Sequence, residues 1–313
     1  SIIGQSSSAA IADAAAAVGQ GGIVLIELHR SGPTLQEECA CNNDQCNYIA
    51  IEYWQDDYDA IQTATANGVI VVEAAGNGSA NLDDGIYDGK FDRSVRDSGA
   101  ILVGASSSTR HAPMCWTNYG DRIDVHGWGQ NVVTLGYGNL YQHPDDPENL
   151  DYEYTYSFSG TSSASPIVVG AAAAVQSVSI EQNETILTPA QIRDLLKTTG
   201  TPQTDELNLP IGPLPNLKAA IDTIIDGTQC VDFSSTNTAH ETAGRAYSET
   251  TSGFWWTPGT TTWYATGSNA NLGTSGSTVT DLYDEGDGVW KVGTCPTPDN
   301  TPPTISLNGP ATL

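Results

Sequence analysis

The first feature of this sequence that could do chemistry is a serine in a loop of small residues directly before a predicted helix. Residues 160–166 read GTSSASP. A helix N-terminus provides positive potential and free backbone N–H groups, and both stabilise a developing oxyanion. The small residues around Ser162 allow a substrate carbonyl to approach closely. The segment therefore predicts a nucleophilic serine, and the alternative is a Ser/Gly loop that only caps the helix.

The second such feature is an asparagine that follows a predicted β-strand. Residues 73–78 read EAAGNG and come directly after the apolar run at residues 69–72. In an open α/β sheet, ligands bind at the edge formed by the carboxyl ends of the strands. At that edge the Asn77 amide can donate a hydrogen bond to an oxyanion. The alternative is an ordinary Asn-Gly turn.

Taken together, the two motifs resemble those of the subtilisin-like serine peptidases. The resemblance extends over roughly residues 1–226 and includes DSGAILVGA at residues 97–105, between the two motifs. It implies an α/β fold in which a parallel sheet carries helices on both faces. It also implies hydrolysis of peptide bonds in protein or peptide substrates, a reaction that requires no cofactor.

The resemblance implies a role for each residue of the two motifs. Ser162 would attack the peptide carbonyl, and Asn77 together with the Ser162 backbone N–H would hold the tetrahedral oxyanion. Ala74, Ala75 and Gly76 would border the pocket for the residue that precedes the scissile bond. The implied activity is that of a serine endopeptidase that works through an acyl-enzyme on Ser162.

The sequence departs from this family in its catalytic acid and base. A subtilisin-like peptidase needs an Asp and a His that both precede the oxyanion asparagine in chain order. The only histidine before Asn77 is His29, and no Gly-Thr follows it. Alignment of residues 24–26 with the family's strand places His29 in the substrate-binding segment, where it would line the cleft. Four further histidines are expected to be surface or structural residues: His111, His126, His143 and His240.

Because these motifs lack the acid and the base, we expect a partner that supplies them. The partner would be a segment of the same precursor that carries the Asp and the His, and the sheet of this chain would be incomplete without it. This chain alone would then be inactive, since an unactivated serine is an ordinary alcohol. The competing function is that of a catalytically inactive protease scaffold that serves as a surface, adhesive or filament structural protein.

The elements that must position these residues alternate along residues 1–227, which we expect to form a partial peptidase domain. Short apolar runs between helices are typical of a parallel sheet that is buried on both faces. The expected helices lie near residues 9–18, 56–66, 164–178, 189–200 and 216–225, and the expected strands near residues 23–26, 69–72 and 101–103.

After residue 227 the helical periodicity gives way to Thr, Ser, Gly, Trp and Tyr. Residues 228–297 are expected to form a small β-rich module closed by a Cys230–Cys295 disulfide, and residues 298–313 a linker and the start of an immunoglobulin-like domain. The aromatic residues of the module would either bind a sugar polymer or form the module's core. They are Trp255, Trp256, Trp263 and Tyr264.

Charge and cysteine content limit the partners and the compartment. With 11 Lys plus Arg against 37 Asp plus Glu, the formal net charge is −26, which argues against binding to nucleic acid or an anionic membrane. No apolar run approaches the roughly 20 residues that span a bilayer. Six cysteines without a CxxC pair favour disulfides, and hence a secreted or cell-surface protein of a bacterium. Four cysteines allow three pairings, which the sequence leaves open: Cys39, Cys41, Cys46 and Cys115.

An acidic loop follows the oxyanion segment. Asp83, Asp84 and Asp88 supply closely spaced carboxylates, and such oxygens are the ligands that calcium prefers. The resemblance is consistent with a structural calcium ion, because subtilisin-like enzymes often carry one. The alternative is a solvated acidic loop without a metal.

Overall fold

The computed structural model describes residues 6–39, 41–146, 149–226, 231–253, 259–284 and 289–294. The chain divides into two compact units, Ser1–Ile224 and Ile225–Leu313.

The first unit alternates helices and strands, as the sequence predicts. The helices are α1 (Ser7–Val18), α2 (Gln55–Ala66), α3 (Thr161–Asn183), α4 (Pro189–Thr198) and α5 (Leu217–Asp226). The strands are β1 (Ile23–Ile26), β2 (His29–Ser31), β3 (Tyr48–Ala50), β4 (Ile70–Ala74), β5 (Ile101–Ser106), β6 (Val125–Trp128), β7 (Val132–Leu135) and β8 (Tyr154–Phe158).

The main sheet is parallel, with the strand order β1-β4-β5-β6. Its β-branched runs are buried on both faces, which is why they read as continuous apolar segments in the sequence. On one face, Val24 and Val71 pack with Ile11 of α1 and Ile61 of α2. On the other face, β4, β5 and β6 pack against α3, α4 and α5. The predicted α/β fold, a parallel sheet with helices on both faces, is confirmed.

Local signals account for most helix ends. Thr188 forms a capping box with Gln191, and Pro189 occupies the first helical position. The side chain of Asn216 accepts a hydrogen bond from the Ala219 backbone N–H at the start of α5. Helix α1 is capped by Ser6, whose side-chain oxygen accepts a hydrogen bond from the Ala9 backbone N–H.

Helix α3 is longer than the sequence analysis predicts and begins at Thr161, so that Ser162 lies in its first turn. Among the described residues it is the helix that is long and apolar enough, by length and composition alone, to cross a membrane. Its apolar composition has another cause, because Ala164, Val168 and Val175 lie in the core against the main sheet.

The second unit is rich in β-structure. It contains the short helix α6 (Asn237–Thr242) and the strands β9 (Val231–Thr236), β10 (Ala246–Thr251), β11 (Thr260–Ala265), β12 (Asn271–Gly273), β13 (Val279–Asp284) and β14 (Lys291–Val292). Two antiparallel sheets have the orders β10-β11-β12 and β14-β13-β9. Trp263 packs against the small core, as the core interpretation of these aromatic residues expects. Cys230, Cys295, Trp255 and Trp256 lie outside the described residues.

A buried ionic cluster lies near Glu73, the first residue of the EAAGNG segment. The Arg122 guanidinium is almost fully buried and binds both carboxylate oxygens of Glu52 at 2.7 and 2.8 Å and Asp124 Oδ2 at 2.8 Å. Glu73 of β4 is fully buried, and its Oε1 accepts the Glu52 backbone N–H at 3.0 Å. Burial, and secondly the Glu52 carboxylate, raise the pKa of Glu73 well above its ordinary range.

We expect Glu73→Gln to remove part of the pH dependence of stability. With its raised pKa, Glu73 keeps a proton that the unfolded chain releases above about pH 4.5, so the wild-type free energy of unfolding falls as pH rises. Glutamine keeps the acceptor and cannot ionise. Urea unfolding between pH 5 and 9 should show a smaller loss of stability in Glu73→Gln than in wild type. Parallel curves for the two proteins would show that Glu73 is ionised in the folded state.

Candidate active site

The serine of the first motif lies at the N-terminus of α3, where a glycine shapes the turn. Gly160 precedes the helix with a φ of 114°, a backbone conformation that residues with a Cβ atom rarely adopt. Its backbone carbonyl accepts the Ser163 N–H at 3.1 Å, and its N–H donates to Gly129 at 3.1 Å. Ser162 follows in the first helical turn and is half-buried.

The structure brings Ser162 and Asn77 together. Asn77 Oδ1 accepts hydrogen bonds from the Thr161 backbone N–H and from Thr161 Oγ1, both at 2.9 Å. A Cβ atom on residue 160 would lie 2.9 Å from Ser162 Oγ and 3.5 Å from Asn77 Nδ2. The hydroxyl of Ser162 and the amide of Asn77 therefore face the same small space beside Gly160, as a nucleophile and an oxyanion donor must.

A second buried asparagine fixes the backbone on both sides of Asn77. Asn118 donates from Nδ2 to the carbonyls of Ala75 at 2.6 Å and Tyr48 at 2.8 Å. Its Oδ1 accepts the backbone N–H groups of Gly78 at 3.0 Å and Ala80 at 2.9 Å. All the hydrogen-bonding capacity of this amide is used, so the loop after β4 has one well-defined conformation. Sequence reasoning missed Asn118, although its Asn-Tyr-Gly segment lies within the resemblance.

His29 lies beside Asn77. Its Nδ1 accepts the Asn77 backbone N–H at 3.3 Å, and its ring lies 4.9 Å from that of Tyr48. Desolvation lowers the pKa of His29, which favours the neutral imidazole that this acceptor role requires. Contact of His29 with substrate stays a prediction.

The three residues predicted to border a substrate pocket are buried at the end of β4. Ala74 and Ala75 have at most 1% of their surface exposed. A Cβ on Gly76 would lie 2.8 Å from the Tyr48 carbonyl oxygen, so β3 packs directly on this segment. Their role beside a substrate side chain stays a prediction.

The four cysteines of the first unit form disulfides, as their composition predicts, and the structure gives their pairing. Cys39 pairs with Cys46, and Cys41 pairs with Cys115. The first bond closes a loop that contains the turn Asn43–Gln45. Gln45 reaches the site from this loop and accepts a hydrogen bond from Asn77 Nδ2 at 3.1 Å. No sequence signal connects Gln45 with Asn77.

The other histidines do not replace the base. On β6, Gly127 faces the Ala164 backbone of α3, so its neighbour His126 points to the opposite face of the sheet. There His126 Nδ1 contacts the Gly212 carbonyl at 2.7 Å, and burial lowers the pKa of His126 to about 4. His240 belongs to the second unit and contacts the Thr280 carbonyl at 2.8 Å. Within the described part of the chain, Ser162 Oγ has no hydrogen-bond partner.

His111 and His143 each lie beside a neighbouring aromatic ring. The ring of His111 lies 5.9 Å from that of His126, and the ring of His143 lies 5.4 Å from that of Tyr152.

The acidic loop uses its carboxylates locally. Asp84 Oδ1 accepts the Ile86 backbone N–H at 2.9 Å, and Asp83 Oδ1 accepts the Asp121 backbone N–H at 3.0 Å. Asp88 ends this turn in a left-handed conformation. Over the described ranges, no three His, Cys, Asp or Glu side chains converge as metal ligands would. A calcium site at these three aspartates stays a prediction, and the solvated acidic loop stays its alternative.

Comparison with known proteins gives a family match that includes both motifs. The model of the subtilase family, Peptidase_S8, matches residues 39–252. An extracellular protease of Xanthomonas campestris pv. campestris is 33% identical over 142 residues, which are 45% of this chain and 21% of that protein. Subtilisin Savinase of Lederbergia lenta is 32% identical over 161 residues, which are 51% of this chain and 49% of that protein.

Solved structures were also compared with this chain. The self-cleaved protease domain of PatA is 20% identical, with a TM-score of 0.47 over 69% of this chain and 66% of that one. The chain matches half or less of the length of the two curated relatives above.

We expect Thr161→Val to destabilise the junction between β4 and α3. Thr161 Oγ1 donates to Asn77 and accepts the buried Gly76 N–H at 3.2 Å, and valine keeps the shape of threonine but neither bond. The loss should be about 1–3 kcal/mol in the free energy of unfolding, measured in urea. Thr161→Ser, the matched control, keeps the hydroxyl and should lose less. Equal stability of the two variants would show that these bonds contribute nothing net.

Proposed function

Because this chain belongs to the subtilase family, we propose that it is the nucleophile-bearing part of a secreted serine endopeptidase. The observation that carries the proposal is the shared space between Ser162 Oγ and Asn77 Nδ2 beside Gly160. A serine used only as a helix cap would not need an amide donor facing its hydroxyl.

In this proposal the chain contributes two of the elements of acyl transfer. Ser162 Oγ attacks the carbonyl carbon of the scissile peptide bond, and a base takes its proton. The oxyanion that forms is held by Asn77 Nδ2 and by the Ser162 backbone N–H at the positive end of α3. Collapse of this intermediate expels the amine and leaves an acyl-enzyme on Ser162, which water then hydrolyses.

The base would come from a segment of the same precursor that carries the Asp and the His. None of the described histidines approaches Ser162 Oγ within hydrogen-bonding distance, which supports a base from elsewhere. Without the histidine, turnover in subtilisin itself falls by about 10⁶-fold. The docking site that we propose for this segment is the free edge of β1, the outer strand of the described main sheet.

A groove beside β1 supports this docking site. It has a volume of about 600 Å³ between α1 and β1, and Leu25 and Leu28 in its lining are 37% and 53% exposed. An edge strand with unpaired backbone groups and an apolar groove beside it favours pairing with another strand. The occupant would therefore be an apolar strand of the segment that carries the Asp.

The compartment and the substrate follow from the same proposal. Two described disulfides and relatives named as extracellular proteases support secretion, and we propose a bacterial source. The substrate would be a protein or peptide, and the net charge of −26 disfavours nucleic acid as a partner.

Labelling of the full-length precursor with a fluorophosphonate probe tests the proposal. We expect a stoichiometric adduct on Ser162, located by peptide mass, because the probe reacts only with an activated serine. Ser162→Ala should abolish labelling, whereas Ser177→Ala, at an exposed position of the same helix, should not. Asn77→Ala should slow labelling by about 10²–10³-fold, the effect known for removal of such a donor in subtilisin itself.

No adduct on the wild-type precursor, with a control protease labelled normally, would contradict the proposal. The chain would then be an inactive scaffold with a structural or adhesive role.

A further inference from the structure

The amide of Asn77 is held at both of its ends. Its oxygen accepts two hydrogen bonds from Thr161, and its nitrogen donates to Gln45 Oε1 at 3.1 Å. The Gln45 contact comes from a different part of the chain and is not needed to build either motif. It restrains the group that would bind the oxyanion.

The chemistry of a carboxamide explains what this contact does. The amide nitrogen of Asn77 has two hydrogens that point in different directions. One is used by Gln45, which leaves the second for an oxyanion beside Ser162. Because the oxygen end is fixed by Thr161, the acceptor at Gln45 stabilises the orientation in which this second hydrogen faces the reacting carbonyl. A donor that is already oriented costs no reorganisation when charge develops.

Gln45 is itself held in place. Asn42 Nδ2 donates to the same Oε1 atom at 3.0 Å, and Gln45 is half-buried. The Cys39–Cys46 disulfide closes the loop around the turn, and Asn47 next to it donates its backbone N–H to Gly78 at 3.1 Å. The loop is therefore joined both to itself and to the residue that follows Asn77.

We propose that Gln45 is a positioning residue, which orients the oxyanion-binding amide of Asn77 from the disulfide-closed loop. This inference rests on the proposed function and names a further residue for the same site. Gln45 acts through Asn77 and does not contact the substrate carbonyl.

The test measures the rate of fluorophosphonate labelling of the full-length precursor, since the phosphonyl oxygen occupies the place of the oxyanion. Gln45→Met keeps the volume and removes the acceptor, and it should slow labelling by about 3- to 10-fold, as expected for one neutral hydrogen bond. Gln55→Ala, at an exposed position on α2, is the control and should leave the rate unchanged.

A double-mutant comparison separates positioning from a general structural effect. In the Asn77→Ala background, Gln45→Met should cause no further loss, because the group that Gln45 orients is gone. The side-chain NH₂ signals of Asn77 in a ¹⁵N NMR spectrum should be protected from solvent exchange in wild type and less protected in Gln45→Met.

Several outcomes would overturn the inference. An unchanged rate in Gln45→Met, or the same loss with and without Asn77, would show that Gln45 does not act through this amide. Faster labelling in Gln45→Met would show that Gln45 blocks the oxyanion site instead of orienting it. If the wild type is not labelled at all, the proposed function fails and this inference fails with it, whereas a labelled wild type with an unaffected variant removes only the role of Gln45.

Discussion

Two hydrogen bonds between Asn77 and Thr161, which lie 84 residues apart, are the interaction on which the candidate site depends. They join the end of β4 to the first turn of α3. The parallel sheet brings the carboxyl ends of its strands to one edge, and α3 packs along the same sheet. Topology therefore brings the two segments near each other, and these bonds fix the oxygen end of the Asn77 amide at the first turn of α3. Gly160 allows the close approach, because a side chain there would fill the space between the two groups.

The interior of the first unit near β4 contains buried charged groups, and their burial costs free energy of folding. Arg122 would be strongly unfavourable in a buried position on its own, and Glu52 and Asp124 offset that cost with charged hydrogen bonds. Glu73 shares this interior and begins the EAAGNG segment, so a buried carboxyl with a raised pKa lies at one end of the segment and Asn77 lies near the other. The apolar core alone would not define where β4 ends. The polar contacts of Glu73 and Asn118 fix the backbone on both sides of that position.

Sequence reasoning identified the elements and motifs whose signals are local. The runs at β1, β4 and β5, the capping box at Thr188 and the serine at a helix N-terminus can each be recognised within a few residues. It did not identify β6, the antiparallel pairing of β2 with β3 or the partner of each cysteine, because these depend on contacts between distant segments. Gln45 shows the limit most clearly, since neither its residue type nor its position in a cysteine-rich loop indicates that it contacts Asn77.

In the proposed mechanism, the site combines groups that are ordered within the described first unit with a base that would come from another segment of the precursor. Asn77, Thr161, Gly160 and Asn118 are held by contacts within that unit, so their arrangement does not depend on the proposed base. Ser162 Oγ lacks such a contact. Preorganised donors stabilise charge only after attack has begun, and attack at neutral pH requires removal of the serine proton. In this proposal, the reactivity of the serine therefore depends on a base that reaches Ser162 Oγ. Under the proposed mechanism, the site can therefore be ordered while Ser162 stays unreactive until the proposed base is in place.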